Sequence, residues 1–245
     1  MRRDRTVIVT GASRGIGRAC AEALAEVGWH VVIVFRHSVE EAGDVVRTIT
    51  RRGGSATAVQ ADVASEVEVR EFFRAIRAEH PPLGAVICNA GITRDGLAPM
   101  MSLANWNLVV DTNLTGSFLV ARESLKAMRR TGGSMVFMSS VSGLRGQAGQ
   151  ANYAASKGAI NALTKALARE GAMSNIRVNA VAPGFTDTDL VRGMPRQELE
   201  RLLDSVPLRR MAEPSEVAAL ARFLVSEDAA YITGQIISID GGLTA

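Results

Sequence analysis

Short runs of β-branched and apolar residues alternate along this chain with longer stretches whose apolar positions recur at helical spacing. The runs are TVIVT (6–10), HVVIVF (30–35), SATAVQADV (55–63), GAVICNAG (84–91), SMVFMSS (134–140), IRVNAVAPG (176–184) and QIISIDGG (235–242), and each predicts a strand. Between them lie RACAEALAEVG, VEEAGDVVRTITRRGG, VEVREFFRAIRAEH, NLTGSFLVARESLKAMRR and SKGAINALTKALARE, which predict helices with one or more apolar faces. Strands that are largely apolar on both alternating sets of positions are buried on both faces. The alternation therefore predicts an α/β fold, a doubly wound parallel sheet of about seven strands flanked by helices on both sides.

No linker, repeat or low-complexity stretch interrupts this rhythm, so residues 1–245 are expected to form a single domain. The rhythm breaks only across 185–215, which carries Pro195, Pro207 and Pro214. That break predicts an inserted helix pair or a mobile lid over a site.

Composition narrows the classes. At 245 residues and 47% hydrophobic content the chain can bury a substantial core. Its apolar runs fall far short of the ~20 residues that span a bilayer, so no membrane role is expected. Met1-Arg2-Arg3 is followed by too short an apolar run for a secretory signal, and the expected location is the cytoplasm. Cys20 and Cys88 are too few for a disulfide framework and lie in no metal-ligand spacing; both are expected to be buried thiols, with no metal site. The net charge of +3 is spread along the chain in runs no longer than a pair. It favours a phosphate-bearing small molecule over a nucleic acid, for which no basic and aromatic stripe exists.

After the first strand comes TGASRGIG (10–17), with Gly11, Gly15 and Gly17. Glycines between a strand and a helix allow a tight turn and bring backbone against a pyrophosphate at the helix N-terminus. An NAD-selective site of this kind places a carboxylate at the end of the second strand. Here the sequence reads Phe35-Arg36-His37, with no carboxylate before Glu40, and Arg14 lies inside the glycine turn. Two guanidinium groups suit the 2′-phosphate of NADP(H) instead.

The segment YAASK puts Tyr153 and Lys157 four positions apart, hence on one helical face, in a chain with only two tyrosines and three lysines. A free phenol titrates near pH 10, and a nearby ammonium favours the phenolate, so such a pair can run acid–base chemistry. Ser139 and Ser140 stand at the end of the preceding predicted strand, where a hydroxyl can enter the same cleft.

With these segments in hand, the chain resembles the short-chain dehydrogenase/reductase family, a Rossmann-type fold, and within it the 3-oxoacyl-[acyl-carrier-protein] reductases. The likeness runs in order through TGASRGIG (10–17), ADV (61–63), NAG (89–91), TNLTG (112–116), SSVSG (139–143), YAASK (153–157), PGFTDTDL (183–190) and AAYITGQIISIDGG (229–242). The resemblance implies a catalytic tetrad of Asn113, Ser140, Tyr153 and Lys157. Tyr153 would protonate the substrate carbonyl oxygen and Ser140 would orient it. Lys157 would hold the nicotinamide ribose and lower the tyrosine pKa, and Asn113 would anchor a water relaying protons to Lys157. It also implies cofactor contacts from Gly11, Ser13, Arg14, Ile16 and Gly17 at the phosphates and adenosine, and from Arg36 at the 2′-phosphate. Asp62 and Val63 would edge the adenine, and Asn89, Ala90 and Gly91 the ribose. Pro183, Gly184, Thr186 and Thr188 would meet the nicotinamide end. Cys88 departs from the family's N-N-A-G pattern while Asn89 keeps its second asparagine.

The same resemblance implies a homotetramer, with helices 103–130 and 152–173 in the larger interface and the ITGQIISIDGG region in the other. The implied reaction is NADPH-dependent reduction of a 3-oxoacyl thioester, carried on acyl carrier protein or CoA. Arg129 and Arg130 would either receive an acidic carrier or complement a helix C-terminus. The alternatives are a ketoreductase of a polyketide-type pathway, another NADP-dependent carbonyl or alcohol oxidoreductase, and an NADPH-binding regulator that has lost the chemistry. Acyl chain length, carrier and pathway lie beyond the sequence.

Overall fold

The computed structural model describes residues 5–188 and 202–245. Seven parallel strands form one sheet in the order β3-β2-β1-β4-β5-β6-β7. They are β1 (Thr6–Thr10), β2 (His30–Phe35), β3 (Ser55–Gln60), β4 (Leu83–Cys88), β5 (Gly133–Met138), β6 (Ile176–Pro183) and β7 (Ile236–Ile239). Among the described residues eight helices accompany them: α1 (Gly15–Glu26), α2 (Val39–Arg51), α3 (Glu66–Glu79), α4 (Leu103–Val110), α5 (Gly116–Met128), α6 (Ser142–Arg145), α7 (Ala151–Ala172) and α8 (Pro214–Val225).

Period-two alternation of a strand sends successive side chains to opposite faces. Val7, Val9, Val31, Ile33, Ala85, Ile87 and Val136 accordingly pack under α1, α2 and α8. Ile8, Val32, Val34, Val86, Met135 and Phe137 pack under α3, α5 and α7. Both faces are dry, which is why the strands read as continuous apolar runs. None of the helices among the described residues is long and apolar enough to cross a membrane.

Five predicted strands end earlier than their hydrophobic pattern suggests, β6 by one residue at Pro183 and the others by two or three. β3 stops at Gln60 rather than 63, β4 at Cys88 rather than 91, β5 at Met138 rather than 140, and β7 at Ile239 rather than 242. The residues left over, among them Asp62, Asn89 and Ser140, turn out of the sheet at its carboxyl edge. Helix α8 was not predicted at all. Pro214, read as a breaker, is its first residue, and Glu213 and Glu216 form a reciprocal capping box around it.

Within the expected lid, residues 189–201 lie outside the described residues. The rest is tied down: Phe185 and Val206 join Val141 and Leu243 in a small apolar cluster, and the Ala212 amide donates to the Phe185 carbonyl at 2.9 Å.

Candidate active site

The sheet order reverses between β1 and β4, and in open parallel sheets the ligand-binding crevice lies beyond the carboxyl ends of the strands at such a reversal. Thr10 and Asn89 lock this crevice. The Thr10 Oγ1 accepts from the amides of Asn89 and Ala90, both at 3.0 Å, and Asn89 Nδ2 donates to the carbonyls of Thr10 and Gly11, also at 3.0 Å. Thr10 escaped the sequence reading as a site residue because its role exists only once β4 lies beside β1.

The glycine turn then runs close over β4. Gly11 has φ +64°, and a Cβ there would sit 2.9 Å from Ala90 Cα; a Cβ at Gly17 would enter the Gly11 carbonyl. Ser13 is buried, Ile16 packs on the core, and Arg14, exposed, precedes the first turn of α1. That turn holds no acidic residue and its N-terminus receives no side-chain cap. A cradle without side chains, facing a helix N-terminus, fits the pyrophosphate of a dinucleotide. Across it, a Cβ at Gly15 would meet Thr188 Cγ2 at 3.3 Å, so the segment after β6 borders the same cradle. Pro183 ends β6, Gly184 packs against Asp240 with no room for a Cβ, and Thr186 is buried.

At the far side of the crevice Arg36 and Asp62 meet: Arg36 Nε lies 2.9 Å from Asp62 Oδ2. The other Asp62 oxygen accepts from the Ala64 amide at 3.0 Å, and Gln60 Nε2 donates to the Arg36 carbonyl at 2.9 Å. Val63 is buried against Gly116. Sequence placed both Arg36 and Asp62 here, but their pairing came only with the fold.

Nearer the middle of the sheet, Asn113, Ser140, Tyr153 and Lys157 come together. Asn113 lies in a wide helical turn, Asp111–Thr115, inserted between α4 and α5, a type of turn frequent at functional sites. Its side chain is fully buried. Oδ1 accepts from the Ile92 amide at 2.8 Å, and Nδ2 donates to the Ile92 carbonyl at 3.0 Å and to Ser156 Oγ at 3.1 Å. Asn113 therefore braces the segment after β4 against α7. A Cβ at Gly91 would fall 3.3 Å from Asn113 Oδ1 and 3.5 Å from Lys157 Nζ, so the backbone after β4 runs close over both side chains.

The two adjacent serines take different roles. Ser139 Oγ donates to Asn161 Oδ1 at 2.6 Å and to the Lys157 carbonyl at 3.2 Å, which ties β5 to α7. Ser140 Oγ accepts from the Ser142 amide at 3.1 Å and hydrogen-bonds the Tyr153 hydroxyl. Only Ser140 shares the tyrosine's chemistry.

Lys157 is buried, and its Nζ donates to the Met138 carbonyl at 2.6 Å. Burial pushes its pKa down to about 8. Burial also raises the Tyr153 phenol above its usual value, the Ser140 hydrogen bond opposes that rise, and the Asp95 charge adds to it. The expected lowering of the phenol by Lys157 is absent: the ammonium faces Met138 and stands 5.6 Å from the tyrosine ring centre. Desolvation outweighs a cation that is itself weakened by burial. Cys88, beside this group, is a buried thiol pushed up to about 12.

A family model described as enoyl-(acyl carrier protein) reductase matches residues 11–244. A 3-oxoacyl-[acyl-carrier-protein] reductase from Synechocystis sp. is 43% identical over 241 residues, covering 98% of this chain and 96% of that one. The reductase FabG of Staphylococcus aureus is 40% identical over 244 residues, covering 99% of both chains. FabG of Aggregatibacter actinomycetemcomitans is 41% identical over 243 residues, covering 98% of this chain and 99% of the relative.

Proposed function

The chain belongs to the short-chain dehydrogenase/reductase family, and from that premise we propose that it reduces 3-oxoacyl thioesters to 3-hydroxyacyl thioesters with NADPH, in fatty-acid-type biosynthesis. The observation that carries the reading is that Ser140, fixed by the Ser142 amide, hydrogen-bonds the Tyr153 phenol beside a buried Lys157. The matching family model is described by an enoyl reduction and the relatives by a ketone reduction. Two hydroxyl groups converging on one point suit a carbonyl oxygen, which accepts both hydrogen bonds, better than a carbon–carbon double bond.

With its pyrophosphate held in the glycine cradle, NADPH would supply a hydride for the carbonyl carbon. The chain's own residues handle the oxygen. Ser140 Oγ accepts from the Ser142 amide, and the proton it directs at the Tyr153 phenol turns to the substrate oxygen when the carbonyl binds. Tyr153, whose pKa is raised, keeps its proton at neutral pH and delivers it as negative charge develops on that oxygen. Lys157, with a pKa of about 8, is close to the operating pH and restores the phenol's proton. Asn113 holds Ile92 and Ser156 in place, and so steadies the wall of the site beside Lys157.

Selectivity for NADPH rests on Arg36, held by Asp62 at the end of β2, where a carboxylate would otherwise repel a 2′-phosphate. Arg14 flanks the same end. Exposed Leu103, Trp106 and Leu108 of α4 and Phe118 of α5 supply apolar surface for a homotetramer, with the α7 face beside it. β7 leaves one edge unpaired among the described strands, which suits the second contact. Arg129 and Arg130, exposed beyond α5, suit an acidic acyl carrier protein in the cytoplasm. The whole chain acts as one cofactor-binding domain, with 185–215 as its substrate lid.

The test is NADPH consumption with acetoacetyl and longer 3-oxoacyl thioesters on CoA and on carrier protein. Turnover of these thioesters is expected. No consumption with any of them, alongside turnover of a sugar or a steroid, overturns the reading.

A further inference from the structure

A line of polar groups outside the tetrad leads to it from the surface. Gln150, the residue before α7, spans two other segments with its side-chain amide. Its Nε2 donates to Asp95 Oδ2 at 2.9 Å, and its Oε1 accepts from Ser142 Oγ at 3.1 Å. Ser142 is the residue whose amide fixes Ser140 Oγ. Asp95 belongs to the segment after β4, which meets the start of α7 at two further points. The Gly96 amide donates to the Gly149 carbonyl at 2.7 Å, and Asn152 Nδ2 donates to the Arg94 carbonyl at 3.0 Å. One amide thus joins three loops: the one after β4, the one after β5 that carries Ser140, and the start of the helix that carries Tyr153.

Resting on the reductase reading above, we propose that Gln150 is a positioning residue, a strap that holds the Ser140 and Tyr153 hydroxyls in register and fixes the Asp95 carboxylate at its outer end. An amide is suited to this because it offers a donor to the carboxylate and an acceptor to the hydroxyl at once. The strap acts through Ser142 on Ser140 and through Asp95 on the charge near the phenol; it does not touch the reacting atoms itself. Reduction needs the protonated phenol, and a carboxylate held nearby keeps it protonated to higher pH.

The experiment measures kcat, KM, NADPH affinity and the pH profile for the wild type, Gln150→Ala, Ser142→Ala and Asp95→Asn. Gln150→Ala removes one neutral hydrogen bond, to Ser142, and one to the Asp95 carboxylate, which together orient the catalytic pair, so kcat should fall roughly 10-fold, with NADPH affinity within two-fold of wild type. Its alkaline limb should move to lower pH by a few tenths of a unit, since Asp95 is no longer held. Ser142→Ala cuts the other end of the strap and should lower kcat in the same direction. Asp95→Asn keeps an acceptor for Gln150 but loses the charge, so it should move the limb while costing less in kcat than Gln150→Ala.

Unchanged kcat and an unmoved limb in Gln150→Ala overturn the strap. So does a kcat loss matched by equal losses of NADPH affinity and thermal stability with no movement of the limb, which is the signature of a merely structural role. If the wild type reduces only some carbonyl compound that is not a thioester, the reductase substrate reading fails, and the same four proteins assayed on that compound still decide the strap.

Discussion

Replacing Lys157 with methionine should make the protein more stable while it abolishes turnover. Lys157 is 5% exposed, and its pKa falls from the usual 10.5 to about 8. At about 1.4 kcal/mol per unit, burying the charged amine costs about 3 kcal/mol at neutral pH. Its one hydrogen bond, to the Met138 carbonyl at 2.6 Å, offsets roughly half of that. Methionine keeps the stem and drops the charge, so Lys157→Met should gain about 1 kcal/mol at pH 7, or roughly 2–4 °C in melting temperature for a chain of this size. The sign with pH follows from proton counting. Between about pH 8 and pH 10.5 the unfolded lysine is protonated and the folded one is not, so the wild type gains stability as pH rises. The cost is present in full below about pH 8 and relieved above the unfolded pKa. The Cys20 and Cys88 thiols, pushed up to about 12, work the other way, but both proteins share them and they cancel in the difference. Chemical unfolding of both proteins at several pH values from about 7 to 10 is the assay. The advantage of Lys157→Met should fall by about 2–3 kcal/mol toward the alkaline end and change sign, and a difference that stays flat over that range refutes the reasoning.

Ser140→Ala should cut kcat by roughly 10²–10⁴-fold with little change in melting temperature. Ser139→Ala should instead cost about 1–3 kcal/mol of stability by leaving Asn161 and the Lys157 carbonyl short of a donor; measuring activity and thermal unfolding on both variants separates the neighbours. Arg36→Ala should weaken NADPH binding about 10- to 100-fold while NADH binding changes by less than three-fold, as read by cofactor titration. Gly11→Ala should cost about 1–3 kcal/mol and impair cofactor binding, because the residue sits at φ +64° with Ala90 Cα 2.9 Å from the added carbon.

Much of the fold was legible because its signals are local. Seven apolar runs became seven strands, and the Ser65 and Ser102 caps open α3 and α4 where hydrophobic spacing begins. Strand ends were not legible, since Asn89 and Ser140 are as compatible with a strand as with the turn that carries them out of it. Helix α8 was missed because three prolines in one region read as interruption. The Glu213 and Glu216 pair around Pro214 was the signal that could have found it.

By itself the sequence determined the layered α/β architecture, the glycine cradle, and the helical stacking of Tyr153 over Lys157. Each of these follows from spacing along one short segment, where periodicity and the missing Cβ of glycine act without reference to the rest of the chain. Only the tertiary structure decided that Ser139 turns to Asn161, that Asp62 holds Arg36, and that Gln150 joins three loops. It also decided that burial governs both pKa values at the centre of the site. Those outcomes depend on which distant segments the sheet brings side by side and on how much water the packing leaves between them, and neither quantity is written in any local stretch of residues.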